Sequence, residues 1–225
     1  MTPRPPEALE ASLRRHWADS LAQAGVVDRA GVLPDLLQRW REPHRAYHTC
    51  QHLHETLQGL QAWRPPFGSG PLALALFFHD AVYDPRRADN EEASAQLARE
   101  ALGALGLDAP TLLTVGRLIA VTRHAARPEG EDEKWMVDLD LSILGASPVR
   151  YAQYRAQVRQ EYAHVPDPDF RRGRLALVER FLAQGGALFH TEPGRAACSA
   201  AALRNLGAEA QELREGPGAG SGGCE

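Results

Sequence analysis

The chain has 225 residues, 44% of them hydrophobic and 24% charged, which is enough for one ordinary globular domain with a core. A formal net charge of −4 argues against broad nucleic-acid binding while leaving room for a local basic pocket. No apolar run reaches a membrane span, and the opening Met-Thr-Pro-Arg-Pro-Pro lacks the apolar centre of a signal peptide, so a cytoplasmic protein with neither nucleic acid nor membrane as partner is expected.

Pro5-Pro6-Glu7 opens a first helix to about Ala24, with Leu9, Leu13, Trp17 and Leu21 as one apolar stripe. Gly25 is a plausible stop. Asp28 can cap a shorter second helix whose Leu33, Leu36, Leu37 and Trp40 point inward. These stripes could cover the core or pair with a second copy in a homodimer, and the sequence leaves both open.

The next stretch, Trp40 to His54, concentrates Arg, His, Tyr, Gln and Glu, all able to bind metal or phosphate. Pro43 disfavours helix just before it, so a helix begins between Tyr47 and Gln51, with Leu53, Leu57 and Leu60 buried. His48 and His52 are four apart and share a face, whereas His54 lies off it and is expected in solvent.

Leu72-Ala-Leu-Ala-Leu-Phe-Phe-His-Asp80 is the stretch the chain is organised around. Its nearly unbroken apolar run reads as a helix buried on most sides, ending in His79 and Asp80. A carboxylate buried without a partner costs several kcal/mol, so Asp80 needs a cation, a hydrogen-bond network or a metal. The spacing links this helix to the one before. From His52 to Trp63 is about 17 Å of helix, residues 64–70 turn, and Pro71 starts a return of roughly 12 Å to His79. Two antiparallel helices joined this way bring His52 and His79-Asp80 to the same end.

Pro85 is expected to end the central helix, and Asp89 or Asn90 to cap the next, with Glu91 and Glu92 in its first turn. Asp108 caps a further helix that runs from Pro110 and ends in Thr122-Arg-His124. In Met136 to Gly145, Asp138 and Asp140 sit among apolar residues. On a helix they point about 200° apart, so one can face the core and the other solvent. Helices then start at Ser147-Pro148, at Asp167-Pro168 and near Arg195, the last running to about Leu213. Residues 214–225 read as a flexible Gly-rich tail. The three cysteines, Cys50, Cys198 and Cys224, show neither metal spacing nor a disulfide framework. The expected architecture is all-α, a single domain over 1–213 of about eight to nine helices.

In order, the chain offers His52, then His79-Asp80, then Asp140. This resembles the HD superfamily of metal-dependent phosphohydrolases, helical bundles with an H…HD…D pattern. It is most similar to the small bacterial HD-domain proteins of that superfamily, through Tyr47-His48, His52-Leu53, His79-Asp80-Ala-Val-Tyr83-Asp84, Asn90-Glu91-Glu92-Ala93-Ser94 and Asp140-Leu141-Ser-Ile-Leu-Gly145. The likeness covers roughly residues 35–210. It implies an HD-type bundle in which His52, His79, Asp80 and Asp140 hold one divalent metal, Mn, Fe, Co, Ni or Zn by donor type. Asp138 competes for the last position; Asp140 is preferred because the family's final Asp precedes an aliphatic residue.

The resemblance further implies a small phosphorylated substrate, with a nucleotide foremost. Arg45, His48, Arg123, His124, Arg159 and Arg174 are candidate phosphate contacts, and His124 is alternatively a partial second-metal ligand. Catalytic roles fall to Asp80 with the metal and to Asp84 or Glu91 for steering water or protonating a leaving group. Alarmone hydrolases of the superfamily carry a Glu-Asp pair where this chain has Tyr83-Asp84, which disfavours that substrate. Two other readings stay open: a non-catalytic nucleotide-sensing or partner-binding module, and a di-iron oxygenase, against which the single intervening histidine, His124, argues.

Overall fold

The computed structural model describes residues 6–216; Pro5, Cys224 and the expected tail from Pro217 onward lie outside them. Among the described residues there are ten α-helices, two short 3-10 turns and no strand. The count exceeds the expected eight to nine because residues 131–140, read without a firm helix assignment, form a helix of their own. No described helix is long and apolar enough to cross a membrane. The chain divides into two compact units, Met1–Asp140 and Leu141–Glu225.

The first unit holds α1 (Pro6–Gln23), α2 (Val32–Arg39), α3 (Cys50–Trp63), α4 (Gly70–Phe78), α5 (Asn90–Ala104), α6 (Ala109–Val121) and α7 (Glu131–Asp140). Helix α4 is its axis. Every residue from Leu72 to Phe78 is buried, because α1, α3, α5, α6 and α7 all pack against it. That is why its sequence shows no polar face. The stripes of α1 and α2 go into the same core: Leu13, Trp17, Leu21, Leu33, Leu36 and Leu37 are all buried there.

Asp28 joins α1 to α2. Its carboxylate accepts the N–H groups of Gly31 (2.8 Å), Val32 (3.0 Å) and Leu33 (3.0 Å), together with the Trp17 indole N–H (3.0 Å). One side chain therefore satisfies three orphan donors of a helix start and ties them to the preceding helix. Thr49 caps α3 by accepting Gln51 N–H, and Asp108 caps α6 by accepting Thr111 N–H (2.8 Å).

The second unit contains a 3-10 turn (Leu141–Gly145), α8 (Pro148–Glu161), α9 (Asp167–Gln184), a 3-10 turn (Gly185–Ala187) and α10 (Glu192–Glu215). The last helix starts three residues before the expected Arg195, at the Thr191 cap, and Arg214 and Glu215 belong to it rather than to a tail. Gly145 passes so close to α10 that a Cβ there would lie 2.6 Å from the Cys198 Cα. Asn205 donates to the Leu144 and Ala146 carbonyls, both at 2.9 Å, and fixes the same turn. Tyr151, Tyr154, Arg174 and Glu209 form a buried polar network in this unit.

Candidate metal centre

Helix α4 ends at Phe78, seven residues before Pro85, so proline is not what stops it. His79 N–H still reaches the Ala75 carbonyl (2.8 Å), and Ala81 N–H turns back to Phe78 (2.9 Å). The carbonyls of Asp80 and Ala81, which a continuing helix would give to its own next turn, instead accept from the Arg45 guanidinium at 2.7 and 3.2 Å. The chain leaves the helix where another side chain takes over its acceptors.

His52 lies in the first turn of α3, and α3 runs antiparallel to α4 as the spacing predicts. Its Nε2 is 3.2 Å from His79 Nε2. Helix α7 delivers Asp140 at its last residue, with Oδ1 3.2 Å from His52 Nε2 and 3.4 Å from His79 Nε2. Asp80 Oδ2 lies 3.0 Å from His79 Nε2 and 3.8 Å from His52 Nε2. Three donor atoms from three elements thus face one another, with Asp80 Oδ2 beside His79, and both imidazoles are almost wholly buried. His52, His79 and Asp140 meet the spacing of a three-residue metal group on their own.

The far sides of the two imidazoles are held. His79 Nδ1 lies 2.9 Å from the Leu76 carbonyl, which can only accept, so the neutral ring carries its proton on Nδ1 and its lone pair on Nε2. His52 Nδ1 meets the Tyr47 hydroxyl at 3.0 Å. Trp40 walls the pair, with its ring centroid 5.6 Å from that of His79 and its indole N–H on the Phe77 carbonyl. His124 Nε2 is 2.9 Å from Asp140 Oδ2. It reaches there from a left-handed backbone (φ 51°) just past α6, a conformation that a non-glycine residue adopts at a cost.

Burial by itself would lower the His79 pKa and raise those of both aspartates. The neighbours overturn this. The Asp80 and Asp140 carboxylates lift His79 well above the ordinary imidazole range. His79 and then His48 depress Asp80, and hydrogen bonds from His124, His52 and His79 hold Asp140 well below the carboxylate norm. The shifts favour a proton on His79 beside the two carboxylates. A divalent ion would displace that proton and satisfy the same donors. Among the described residues, no arginine or lysine pairs with either carboxylate.

Asp138 is wholly buried and Asp140 nearly so, in place of the expected division between core and solvent. His54 is also buried, at 3% exposure, because α1, α4 and α7 pack around α3 on more than one face. Asp89, expected as a cap, makes no capping bond and instead pairs with Arg87. Asn90 does not cap either. Its amide donates to the Asp84 carbonyl (2.9 Å) and its side-chain oxygen accepts Asp84 N–H (3.1 Å). The Ser94 hydroxyl likewise donates to the Val82 carbonyl (3.2 Å) and accepts Val82 N–H (3.1 Å).

His48 packs edge-on against Tyr47 and stacks on Tyr83 at 4.1 Å between ring centres. Asp84 Oδ1 accepts Arg86 N–H (2.9 Å), and Glu91 is half-buried in the first turn of α5. Arg123 pairs with Glu92 (2.5 Å) and donates to the Ala88 carbonyl. Arg159 is committed to Asp167 and the Tyr162 and Val165 carbonyls, and Arg174 to Glu209 and Tyr154, all within the second unit. The sequence reading passed over Tyr47, Trp40, His44 and Ser94 as supports. The Tyr47-His48 pairing just before α3 and the Asn90-Glu91-Glu92-Ala93-Ser94 stretch hinted at two of them. No family model matches the chain, and no curated protein or solved structure compared with it matches.

Proposed function

We propose that the chain is a metal-dependent phosphohydrolase acting on a small phosphorylated metabolite, with a nucleotide as the leading substrate class. One observation carries this: His52 Nε2, His79 Nε2 and Asp140 Oδ1 lie 3.2–3.4 Å from one another, with Asp80 Oδ2 3.0 Å from His79 Nε2. Such separations match the edges of a coordination polyhedron with bonds of about 2.1 Å. The resemblance to the HD superfamily supports the same reading. These four residues would hold one divalent ion, with Mn, Fe, Co, Ni or Zn suited to mixed imidazole and carboxylate donors. Such an ion supplies Lewis acidity, lowering the pKa of a coordinated water and polarising a phosphoryl oxygen.

The rest of the chemistry belongs to the protein. His124 engages Asp140 Oδ2, which leaves Oδ1 turned to the two imidazoles. A phosphoryl group needs cationic contacts. Arg123 can provide one. Its pair with Glu92 is exposed on both sides, and such a pair is worth about 1 kcal/mol or less, so phosphate can displace it. His48, close enough for its charge to depress Asp80, is the second contact. Asp84 and Glu91 are the candidates to steer water or protonate the leaving group.

The test is phosphate and pyrophosphate release from a nucleotide panel with and without Mn²⁺, Co²⁺ or Ni²⁺. Metal-dependent release, abolished by His79→Ala, is expected. Release that persists in His79→Ala, or no release with any ion, overturns the hydrolase reading. Tight nucleotide binding without turnover would instead indicate a sensor module, and two irons per chain an oxygenase.

A further inference from the structure

We propose that Arg45 is a positioning residue that locks the two ligand-bearing segments of the metal centre together through their backbones, and is not a phosphate contact. An arginine has five N–H donors, and Arg45 makes five bonds. Nε and Nη2 grip one Glu42 carboxylate oxygen at 3.0 and 2.9 Å. Nη1 donates to the His48 carbonyl (3.2 Å) and the Asp80 carbonyl (2.7 Å), and Nη2 also donates to the Ala81 carbonyl (3.2 Å). The side chain is 0% exposed and lies between the Trp40 and Tyr83 rings, 5.6 and 5.4 Å from their centres. No donor is left for a substrate, and no face of the guanidinium is open to one.

What those bonds join is informative. His48 begins the segment that enters α3 and carries His52; Asp80 and Ala81 form the turn that carries His79 and Asp80. The fork holds both at once. It is also one part of a larger clamp. Arg45 takes the carbonyls of residues 80 and 81, Ser94 that of Val82, His44 that of Tyr83 (2.7 Å) and Asn90 that of Asp84. Every backbone carbonyl from Asp80 to Asp84 is thus bound by a side chain from outside the turn. Outside regular structure, such complete anchoring fixes the turn's conformation before any ligand arrives. This also gives Asn90 and Ser94 a role that helix capping does not explain.

A lysine at position 45 separates the alternatives. It keeps the positive charge but cannot reproduce the planar, five-donor fork. The experiment compares wild type, Arg45→Lys and Asn90→Ala by hydrogen exchange of the metal-free proteins, and by titration with Co²⁺ alone and with inorganic phosphate. In Arg45→Lys, exchange at the amides of Ala81 to Asp84 should rise about tenfold or more while α1 and α6 stay protected. Co²⁺ affinity should fall about 10- to 100-fold, the usual loss when a ligand's support is removed. Phosphate affinity at saturating Co²⁺ should change little. Unchanged exchange and Co²⁺ affinity with weakened phosphate binding would overturn the proposal and make Arg45 a substrate contact. Should Arg45→Lys fail to fold, Asn90→Ala, which frees the same turn from its far end, must show the same local exchange and Co²⁺ loss. Wild-type behaviour there also overturns the clamp. The Co²⁺ readout rests on the metal reading of the site, and the exchange readout does not: wild type that binds no Co²⁺ defeats the metal reading and leaves the clamp to be judged by exchange.

Discussion

Two buried polar clusters, one in each unit, solve opposite problems. In the second unit, Arg174 grips Glu209 with two bonds of 2.8 and 3.1 Å, the Tyr151 hydroxyl donates to the same carboxylate, and Arg174 also donates to Tyr154. Cation meets anion and the cluster is complete. Its pKa shifts agree: burial alone would lower Arg174, but Tyr154 and Glu209 raise it, and burial beside Glu209 raises Tyr151. In the first unit, two carboxylates and two imidazole Nε2 atoms face one another with no arginine or lysine among them. A divalent ion is the proposed counter-charge for that cluster. Burial of charge alone does not mark a site; what marks it is a set of groups that cannot satisfy one another.

The sharpest way to break this comparison is to remove a member of the unbalanced cluster. His79→Ala or Asp140→Ala should lower Co²⁺ affinity by more than about 100-fold, beyond the loss expected for a supporting residue. Titration calorimetry would show it, and affinity within threefold of wild type would contradict the assignment.

Removing one partner of the balanced cluster should act on stability instead. Glu209→Ala strands a buried guanidinium and should cost about 3–5 kcal/mol in denaturant unfolding, with no loss of Co²⁺ affinity in the folded protein. Replacing both partners, Arg174→Met with Glu209→Leu, should recover most of that stability because no charge is left unpaired. A double variant as unstable as Glu209→Ala would show that the pair does more than cancel itself.

Metal should also stabilise the fold through the first cluster. Co²⁺ at 100 times its Kd should add about 2.7 kcal/mol to wild type and nothing to His79→Ala. The thermal shift of each protein with and without Co²⁺ would settle this.

The smallest expected effect is at the α1–α2 joint. Burial alone would raise the Asp28 pKa, but the N–H groups of Leu33, Val32, Trp17 and Gly31 lower it. A depressed carboxylate contributes stability that is present above its unfolded value, about 3.9, and is lost as pH falls through the folded value. Asp28→Ala should cost about 1 kcal/mol at neutral pH and less in acid. An equal cost at pH 7 and pH 3 would show that the hydrogen bonds to the ionised form contribute nothing.

The sequence carried the grouping of His52, His79 and Asp140 well. An apolar run that ends in His79-Asp80 and a histidine one antiparallel helix away are signals of burial and spacing, which a one-dimensional pattern preserves, whereas Asp140 is preferred over Asp138 only through the HD-superfamily resemblance. The Asp28 and Asp108 caps were legible for the same reason, since a cap is a local event. The clamp was not legible, because it runs from side chains to backbone carbonyls far along the chain. Asn90 looks like a helix-start residue until the turn that it and Ser94 hold is seen. Arg45 reads as a phosphate contact because its composition is right and its saturation is invisible in sequence. His54 was expected in solvent because a helical-face argument assumes one buried face, and α3 is covered on more than one.

The most direct test of the central claim is metal content per chain, by elemental mass spectrometry after loading with Co²⁺ and desalting, for wild type and Asp140→Asn. Asparagine keeps the shape of Asp140 and removes its charge. One ion per wild-type chain is expected, and little or none in the variant. Wild-type protein without metal, or a variant that retains as much as wild type, would contradict it.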